Sequence, residues 1–303
     1  MKSRPPLYLD LFRSGELEER ARIGMGRLGS CDICPRNCHV DRTANQTGFC
    51  LIGKDSVVSS YGPHLGEERP LVGAKGSGTV FFSGCNMGCR YCQNHEISQK
   101  LSGSRLDADG LADVFLFLQA SKCHNVNLVS PSHMVPQILK ALERACRKGF
   151  RLPLVYNTGG YDSIKTLKLL DGVVDIYMPD MKYSDSGVAE RLSLVKDYPA
   201  TNRESVKEMH SQVGDLFIGR DGLAKRGVMV RHLVLPNGLS GTRGVVDFLA
   251  KEVSKDTYVN IMDQYRPEYK AMDHAGMGRM VTREEYLSAL DAAKSAGLHR
   301  FAR

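Results

Sequence analysis

Three cysteines stand in the stretch from Ser83 to Asn94, Cys85, Cys89 and Cys92, at the spacing C-x3-C-x2-C. A four-iron cluster held by thiolates takes four ligands. This loop offers three, which leaves one iron open. An open coordination position is where a metal does chemistry; a closed one is structural. The residues before the loop, Gly76 to Gly84, read as a buried strand flanked by glycines, so the cysteines fall on a loop just past a strand end. On the residues alone, the rival readings are a closed zinc site completed by a fourth residue and a set of unrelated buried thiols.

A second group precedes it. Cys31, Cys34, Cys38 and Cys50 follow C-x2-C-x3-C-x11-C, with Pro35 directly after Cys34 and Gly48 before Cys50. Four thiolates within twenty residues make a complete tetrahedral metal set. The Cys-Pro pair matches that of ferredoxin cluster loops, so an iron–sulfur cluster is the first reading and a structural zinc the second. His39 adjoins a set that four cysteines already complete and reads as a bystander. Cys123 and Cys146 sit in or beside helical runs and read as buried core thiols.

These groups must be carried by an ordinary globular chain. It has 303 residues, 25% charged and 42% hydrophobic, with a formal charge of +7 that is dispersed along the sequence. Dispersed basic residues read as solvated surface, so neither a nucleic acid nor a membrane is expected as partner. The chain has no apolar run long enough to span a bilayer and no apolar signal core after Met1, which predicts a cytoplasmic protein. Seven of nine cysteines in two ligand-like groups favour metal binding over disulfides.

Residues 1–75 read as an N-terminal extension that carries the four-cysteine metal motif. A charged helix is predicted over Leu11–Ile23, then loops and short strands over 51–75, where His64, Glu67 and Glu68 read as surface first, with a place facing the cofactor pocket as the alternative and no role assigned. From residue 76 to 303 strands and helices alternate, which points to an α/β fold with a parallel sheet or barrel. The predicted strands are Thr79–Ser83, Asn125–Ser130, Pro153–Asn157, Val173–Met178, Val228–Leu235 and Tyr258–Met262. Helices are predicted at Leu111–Gln119 after an Asp107 or Asp109 cap, at Val135–Arg147, Asp162–Leu170 and Gly244–Val253, and as a pair over 187–213. A hairpin is expected around Arg220–Gly222, and a last helix runs from the capping box Thr282/Glu285 to Gly297.

The Cys85 loop, with Tyr91 in the aromatic slot of C-x3-C-x-aromatic-C, resembles the cluster loop of the radical S-adenosylmethionine (SAM) superfamily. Gly84-Cys85 before it and Gln93-Asn94 after it are similar to the activating enzymes of glycyl radical enzymes, pyruvate formate-lyase activating enzyme among them. The resemblance implies a partial (β/α)6 TIM-type barrel with its site at the carboxyl ends of the strands. It implies a [4Fe-4S] cluster on Cys85, Cys89 and Cys92 whose open iron binds SAM, and reductive cleavage to a 5′-deoxyadenosyl radical that takes hydrogen from a substrate. Asn157, Asp180, Lys182 and Arg231 match positions that the activating enzymes use around SAM. Asp180 and Lys182 are two apart on an extended segment and so face one side. Arginine inside an apolar strand needs a partner, and its fork suits a carboxylate.

The resemblance also implies a protein or peptide substrate and a low-potential electron donor such as flavodoxin or ferredoxin. The alternatives are the same chemistry on a small metabolite, and a metal-bearing scaffold or electron carrier that makes no radical. Three departures from the activating enzymes stand out: no arginine follows Gly76 and Gly78, Ser130, Ser132 and His133 occupy the place of Gly-Gly-Glu, and the extra cysteines come before the barrel. The parts played by Ser132, His133 and Gln264 stay open.

Overall fold

The computed structural model describes residues 5–302. Its strands are β1 Ser56–His64, β2 Ser77–Phe82, β3 Ser104–Leu106, β4 Val126–Val129, β5 Leu154–Thr158, β6 Ile176–Pro179, β7 Phe217–Ile218, β8 Ala224–Leu233, β9 Tyr258–Met262 and β10 Arg300–Phe301. They run β10-β9-β8-β6-β5-β4-β2-β1-β3 across one sheet, with β7 paired to β8 off this path. β2, β4, β5, β6, β8 and β9 are parallel neighbours in chain order, the six strands the alternation predicted. The strand order is a path with two ends, and the edge that follows β2 is antiparallel: β1 pairs β2, and β3 pairs β1. The chain on both sides of residue 75 therefore forms one sheet.

Register decides what faces the interior. Residues opposite one another in a parallel pair share a face, and positions two apart along a strand do too. Val155, Ile176, Met178 and Met229 cluster with Leu71 as an apolar floor. Beyond it, Asp180 bridges Arg231, and Arg231 lies opposite Asn260, giving a polar layer at the carboxyl ends. The other faces of the same strands, with Leu128, Leu154 and Tyr177, pack against the surrounding helices in the main core.

Helix ends follow local chemistry. Asp107 accepts from Gly110 N–H and starts the helix Ala108–Ala120. Thr282 and Glu285 form the reciprocal capping box of Arg283–Ala296, which closes on Gly297 at φ 100°. The hairpin turns at Gly222, φ 75°, between β7 and β8. The predicted 187–213 pair is Ser186–Ser193 and Tyr198–Val213.

Some bounds differ. The helix expected over 11–23 is two helices, Tyr8–Ser14 and Glu16–Gly26, broken at Gly15, whose φ of 81° is open to a residue without Cβ. Val173 and Val174 precede β6 rather than belong to it, and the helix from Thr242 widens into a π turn at Leu249–Val253. The two residues of β10 are too short to leave a sequence pattern. Among the described residues, no helix is long and apolar enough to cross a membrane.

Candidate metal centre and cofactor site

β2 ends at Phe82, and the next turn carries the three thiols. Gly84 has φ 75°, and a Cβ there would stand 2.4 Å from the Cys50 carbonyl, so only glycine fits. The loop is braced by backbone bonds from Gly88 N–H to Ser193 and from Arg90 N–H to Leu192. Asn86 adds a side-chain bond to the Tyr161 carbonyl at 2.6 Å.

Donors are aimed at two of the sulfurs. Met87 N–H lies 3.3 Å from Cys85 Sγ, and Ser193 Oγ lies 3.0 Å from Cys89 Sγ. Cys92 Sγ and Ser98 Oγ are 3.3 Å apart. Ser193 is held by Tyr183 at 2.7 Å and Tyr183 by Tyr91 at 2.6 Å, so Tyr91 feeds a buried hydroxyl chain that ends on Cys89. Burial pushes the Cys85 thiol up to about 12, Cys89 adding to it, and it pushes Cys89 up as well. Thiolates form here only against a cation, which is the donor chemistry an iron cluster meets.

Lys182 supplies such a cation, its charge favouring the thiolates of both Cys85 and Cys89. Burial opposes its ammonium, but Asp180 and Cys89 outweigh burial and hold it well above the ordinary lysine value. Lys182 Nζ sits 2.5 Å from Asp180 Oδ2. A Cβ on Gly159 would come within 3.0 Å of Met87 Sδ and 3.9 Å of Lys182 Cε, so β5's end closes onto the same spot. Asn157 and Arg231 meet at 3.5 Å just below.

Glu67 and Glu68 require a correction. They read as surface, yet their side chains are 8% and 4% exposed, and they clasp Arg231 at 2.6 Å each. Glu68 also accepts from Asn260 at 2.9 Å. Burial would raise Glu68, but the Arg231 hydrogen bond and charge win and keep it a carboxylate. Arg231, opposed by burial, is held charged by the same pair. Its fork is thus engaged by this chain's own carboxylates. An acidic pair ahead of Pro70 carries no sequence mark of burial; only the antiparallel return of β1 brings it inside.

The residues after β4 serve as ties. His133 is buried, is pushed down to about 4 by burial, and places Nε2 3.0 Å from the Ser83 carbonyl. Ser132 bonds Thr158 at 2.9 Å. Gln264 is exposed, its backbone carbonyl accepting from Gln93 at 3.1 Å.

The extension's thiols come together too. Cys31, Cys34, Cys38 and Cys50 line one cavity with Arg42 and His133. Burial pushes Cys34 up to about 12, and the three other thiols add to the shift. A Cβ on Gly48 would stand 2.6 Å from Cys38 Sγ. Among the described residues, no three Cys, His, Asp or Glu side chains are grouped closely enough to hold a metal ion, in either thiol set. Cys123 and Cys146 lie in the core as expected.

Residues 73–191 match the family described as a 4Fe-4S single cluster domain, which spans β2, the Cys85 loop and the strands through β6. The X-ray structure of the FeFe-hydrogenase maturase HydG from Carboxydothermus hydrogenoformans superposes with a TM-score of 0.52 at 13% identity, covering 95% of this chain and 65% of that one. A crystal structure of HydG, a maturase of the [FeFe]-hydrogenase, gives 0.48 at 12% identity over 72% of this chain and 48% of that one. This chain therefore spans less than two thirds of either maturase. The 0.52 match shows the fold: an α/β architecture resembling a partial radical-SAM (β/α) barrel. At 33% identity over 96% of its own length and 82% of the relative's, this chain belongs to the same family as the uncharacterised protein MJ0674 of Methanocaldococcus jannaschii.

Proposed function

We propose that this chain is a radical SAM enzyme of the activating-enzyme type, which reductively cleaves SAM at a [4Fe-4S] cluster and takes hydrogen from a protein or peptide substrate. The observation that carries the reading is a loop of three thiols at a strand's carboxyl end with the Lys182–Asp180 pair beside it. Cys85, Cys89 and Cys92 would hold the cluster. When bound, such a cluster supplies one electron to a sulfonium at its open iron.

The chain's own groups do the positioning. Lys182 offers an ammonium to the SAM carboxylate, and Asp180 fixes that ammonium's place. Asn157 can both donate and accept at the same rim. Arg231 joins this layer with its charge already balanced by Glu67 and Glu68. Tyr91 acts through Tyr183 and Ser193 on the Cys89 sulfur. A low-potential flavodoxin or ferredoxin supplies the electron, in the cytoplasm, with no nucleic acid or membrane partner. Cys31, Cys34, Cys38 and Cys50 hold a second metal centre, an iron–sulfur cluster in preference to zinc.

The test is anaerobic reconstitution followed by SAM and a strong reductant. 5′-Deoxyadenosine is expected from the intact chain and none from a Cys85→Ala/Cys89→Ala/Cys92→Ala variant. Lys182→Met should keep its iron and lose SAM binding. A chain with a full cluster that forms no 5′-deoxyadenosine overturns the reading.

A further inference from the structure

Arg42 is 1% exposed, yet none of its hydrogen-bond contacts is a carboxylate. Its Nε donates to the Gly53 carbonyl and Nη1 to the His133 carbonyl, both at 2.9 Å, and Nη1 lies 3.8 Å from Cys31 Sγ. Its Nη2 is buried with no hydrogen-bond partner among the described residues. A buried guanidinium with no counter-charge and an orphan donor is costly. It lines the cavity of Cys31, Cys34, Cys38 and Cys50, so an anionic occupant there removes the cost.

Four thiolates around a metal centre are such an anion. One zinc ion would draw all four sulfurs to about 2.3 Å from a single point. A four-iron cage spreads its thiolates around a larger body and leaves them further apart.

This cavity also abuts the other thiol loop. The Cys50 carbonyl lies against Gly84, the neighbour of Cys85, and Phe49 lies against Gly88. Arg36, between Cys34 and Cys38, donates to the Asn86 carbonyl at 2.9 Å. His133 joins both sides, accepting from Arg42 at its carbonyl and meeting Ser83 with its ring.

We infer that Cys31, Cys34, Cys38 and Cys50 hold a fully ligated four-iron cluster, that Arg42 is its buried counter-charge, and that it exchanges single electrons with the Cys85/Cys89/Cys92 centre. The exchange rests on the function proposed above; the cluster and its counter-charge do not. Held by Cys31, Cys34, Cys38 and Cys50, such a cluster would supply one-electron transfer from a low-potential flavodoxin- or ferredoxin-class protein to the first centre. No bond breaks and no proton moves.

The experiment is iron, sulfide and zinc analysis of anaerobically reconstituted chains, with electron paramagnetic resonance after reduction. Cys34→Ser/Cys38→Ser should lose half of the iron and sulfide; loss of zinc with iron retained, or no loss of either, overturns the second cluster. Because that variant could fail to fold, Cys85→Ala/Cys89→Ala/Cys92→Ala gives the complementary reading: it should keep half of the iron, with a signal that SAM does not alter. An iron-free triple variant overturns the inference. If instead SAM leaves the first cluster's signal unchanged in Cys34→Ser/Cys38→Ser, the proposed function fails and the second cluster stands. Arg42→Gln should keep its iron and lower the second cluster's midpoint potential; an unmoved potential removes the counter-charge role. Reduction of the first cluster by a flavodoxin- or ferredoxin-class donor should slow in Cys34→Ser/Cys38→Ser. An unchanged rate overturns electron exchange.

Discussion

The Ser193 hydroxyl lies 3.0 Å from the Cys89 sulfur and is itself held by Tyr183 at 2.7 Å. A donor on a cluster sulfur stabilises the more negative, reduced state, and such contacts tune cluster potentials. Ser193→Ala removes the donor while leaving three thiols in place. A neutral hydrogen bond contributes about 1 kcal/mol, or about 40 mV for one electron. The midpoint of the Cys85 cluster should fall by about that much in a potentiometric titration, with iron content unchanged, and Ser193→Thr should restore it. An unmoved midpoint in Ser193→Ala would mean that the serine only braces the loop.

Lys182 and Asp180 form a part-buried pair, 16% and 23% exposed. Removing one partner of a buried pair costs about 3–5 kcal/mol, and this pair, being partly wet, should lose less, about 1–3 kcal/mol. Lys182→Met should therefore lower the urea midpoint. Adding Asp180→Asn should recover part of the loss, because the stranded carboxylate is gone. Affinity for SAM should not recover in the double variant. Isothermal titration beside denaturation separates the two effects; a double variant that regains SAM binding removes Lys182 from the cofactor site.

The parallel strands were legible because strands buried on both faces read as apolar runs between turn signals, as Ile176–Met178 and Val228–Val230 do. The thiol loops were legible by spacing alone. What stayed hidden depends on chain segments that meet only in three dimensions. Ser193 is an ordinary helix-terminal serine until its helix end meets the Cys89 loop. Glu67 and Glu68 look like solvated charge until β1, running antiparallel to β2, turns them inward onto Arg231. Arg42 lies amid polar loop sequence and gains its meaning only from the cavity it closes. Gly15 shows the same limit locally: a glycine in a charged helical run does not announce whether it will be tolerated or will break the helix.

Glu68 should prove a structural residue of the site. It accepts from Arg231 and from Asn260 and is buried. Glu68→Ala leaves Arg231 with one carboxylate, Glu67, and strands the Asn260 amide, at a cost of about 3–5 kcal/mol. Glu68→Gln keeps one acceptor and should cost less. Chemical denaturation measures both. A change in Glu68→Ala within about 0.5 kcal/mol, the usual range of a surface substitution, would return the pair to the surface role its sequence suggested.

Asp175 ties the first helix to the sheet, accepting Leu7 N–H and Leu154 N–H at 3.0 Å each. Burial raises it from 3.8 to about 7, against these two donors and the charge of Arg226. The folded chain therefore holds a proton that the unfolded chain releases between those values. The contribution to stability is full below pH 3.8 and is lost as pH rises to about 7. Asp175→Asn should abolish that downward slope in urea midpoints taken from pH 5 to 8, while losing one acceptor at a cost of about 1–3 kcal/mol. A slope that survives in the variant assigns it to another group.

His232 slopes the other way. Its Nδ1 lies 2.6 Å from the Met181 carbonyl, and its Nε2 lies 2.9 Å from Thr242 Oγ1. Burial lowers it from 6.5 to about 4, with the Met181 carbonyl and Asp180 opposing and Lys182 assisting. The folded ring is neutral, giving its Nδ1 proton to Met181 and accepting at Nε2 from Thr242. Between pH 4 and 6.5 the unfolded chain binds the extra proton, so this contribution is present above 6.5 and is lost as pH falls toward 4. His232→Gln keeps a donor and an acceptor but cannot titrate. In the Asp175→Asn background, where the opposing slope is gone, the urea midpoint of the chain with His232 should fall between pH 6.5 and 4.5, and that of His232→Gln should fall less steeply. Equal acid limbs in that background would show that the ring is already charged in the folded chain, and that the Met181 turn beside Lys182 is held by a cation rather than by a neutral imidazole.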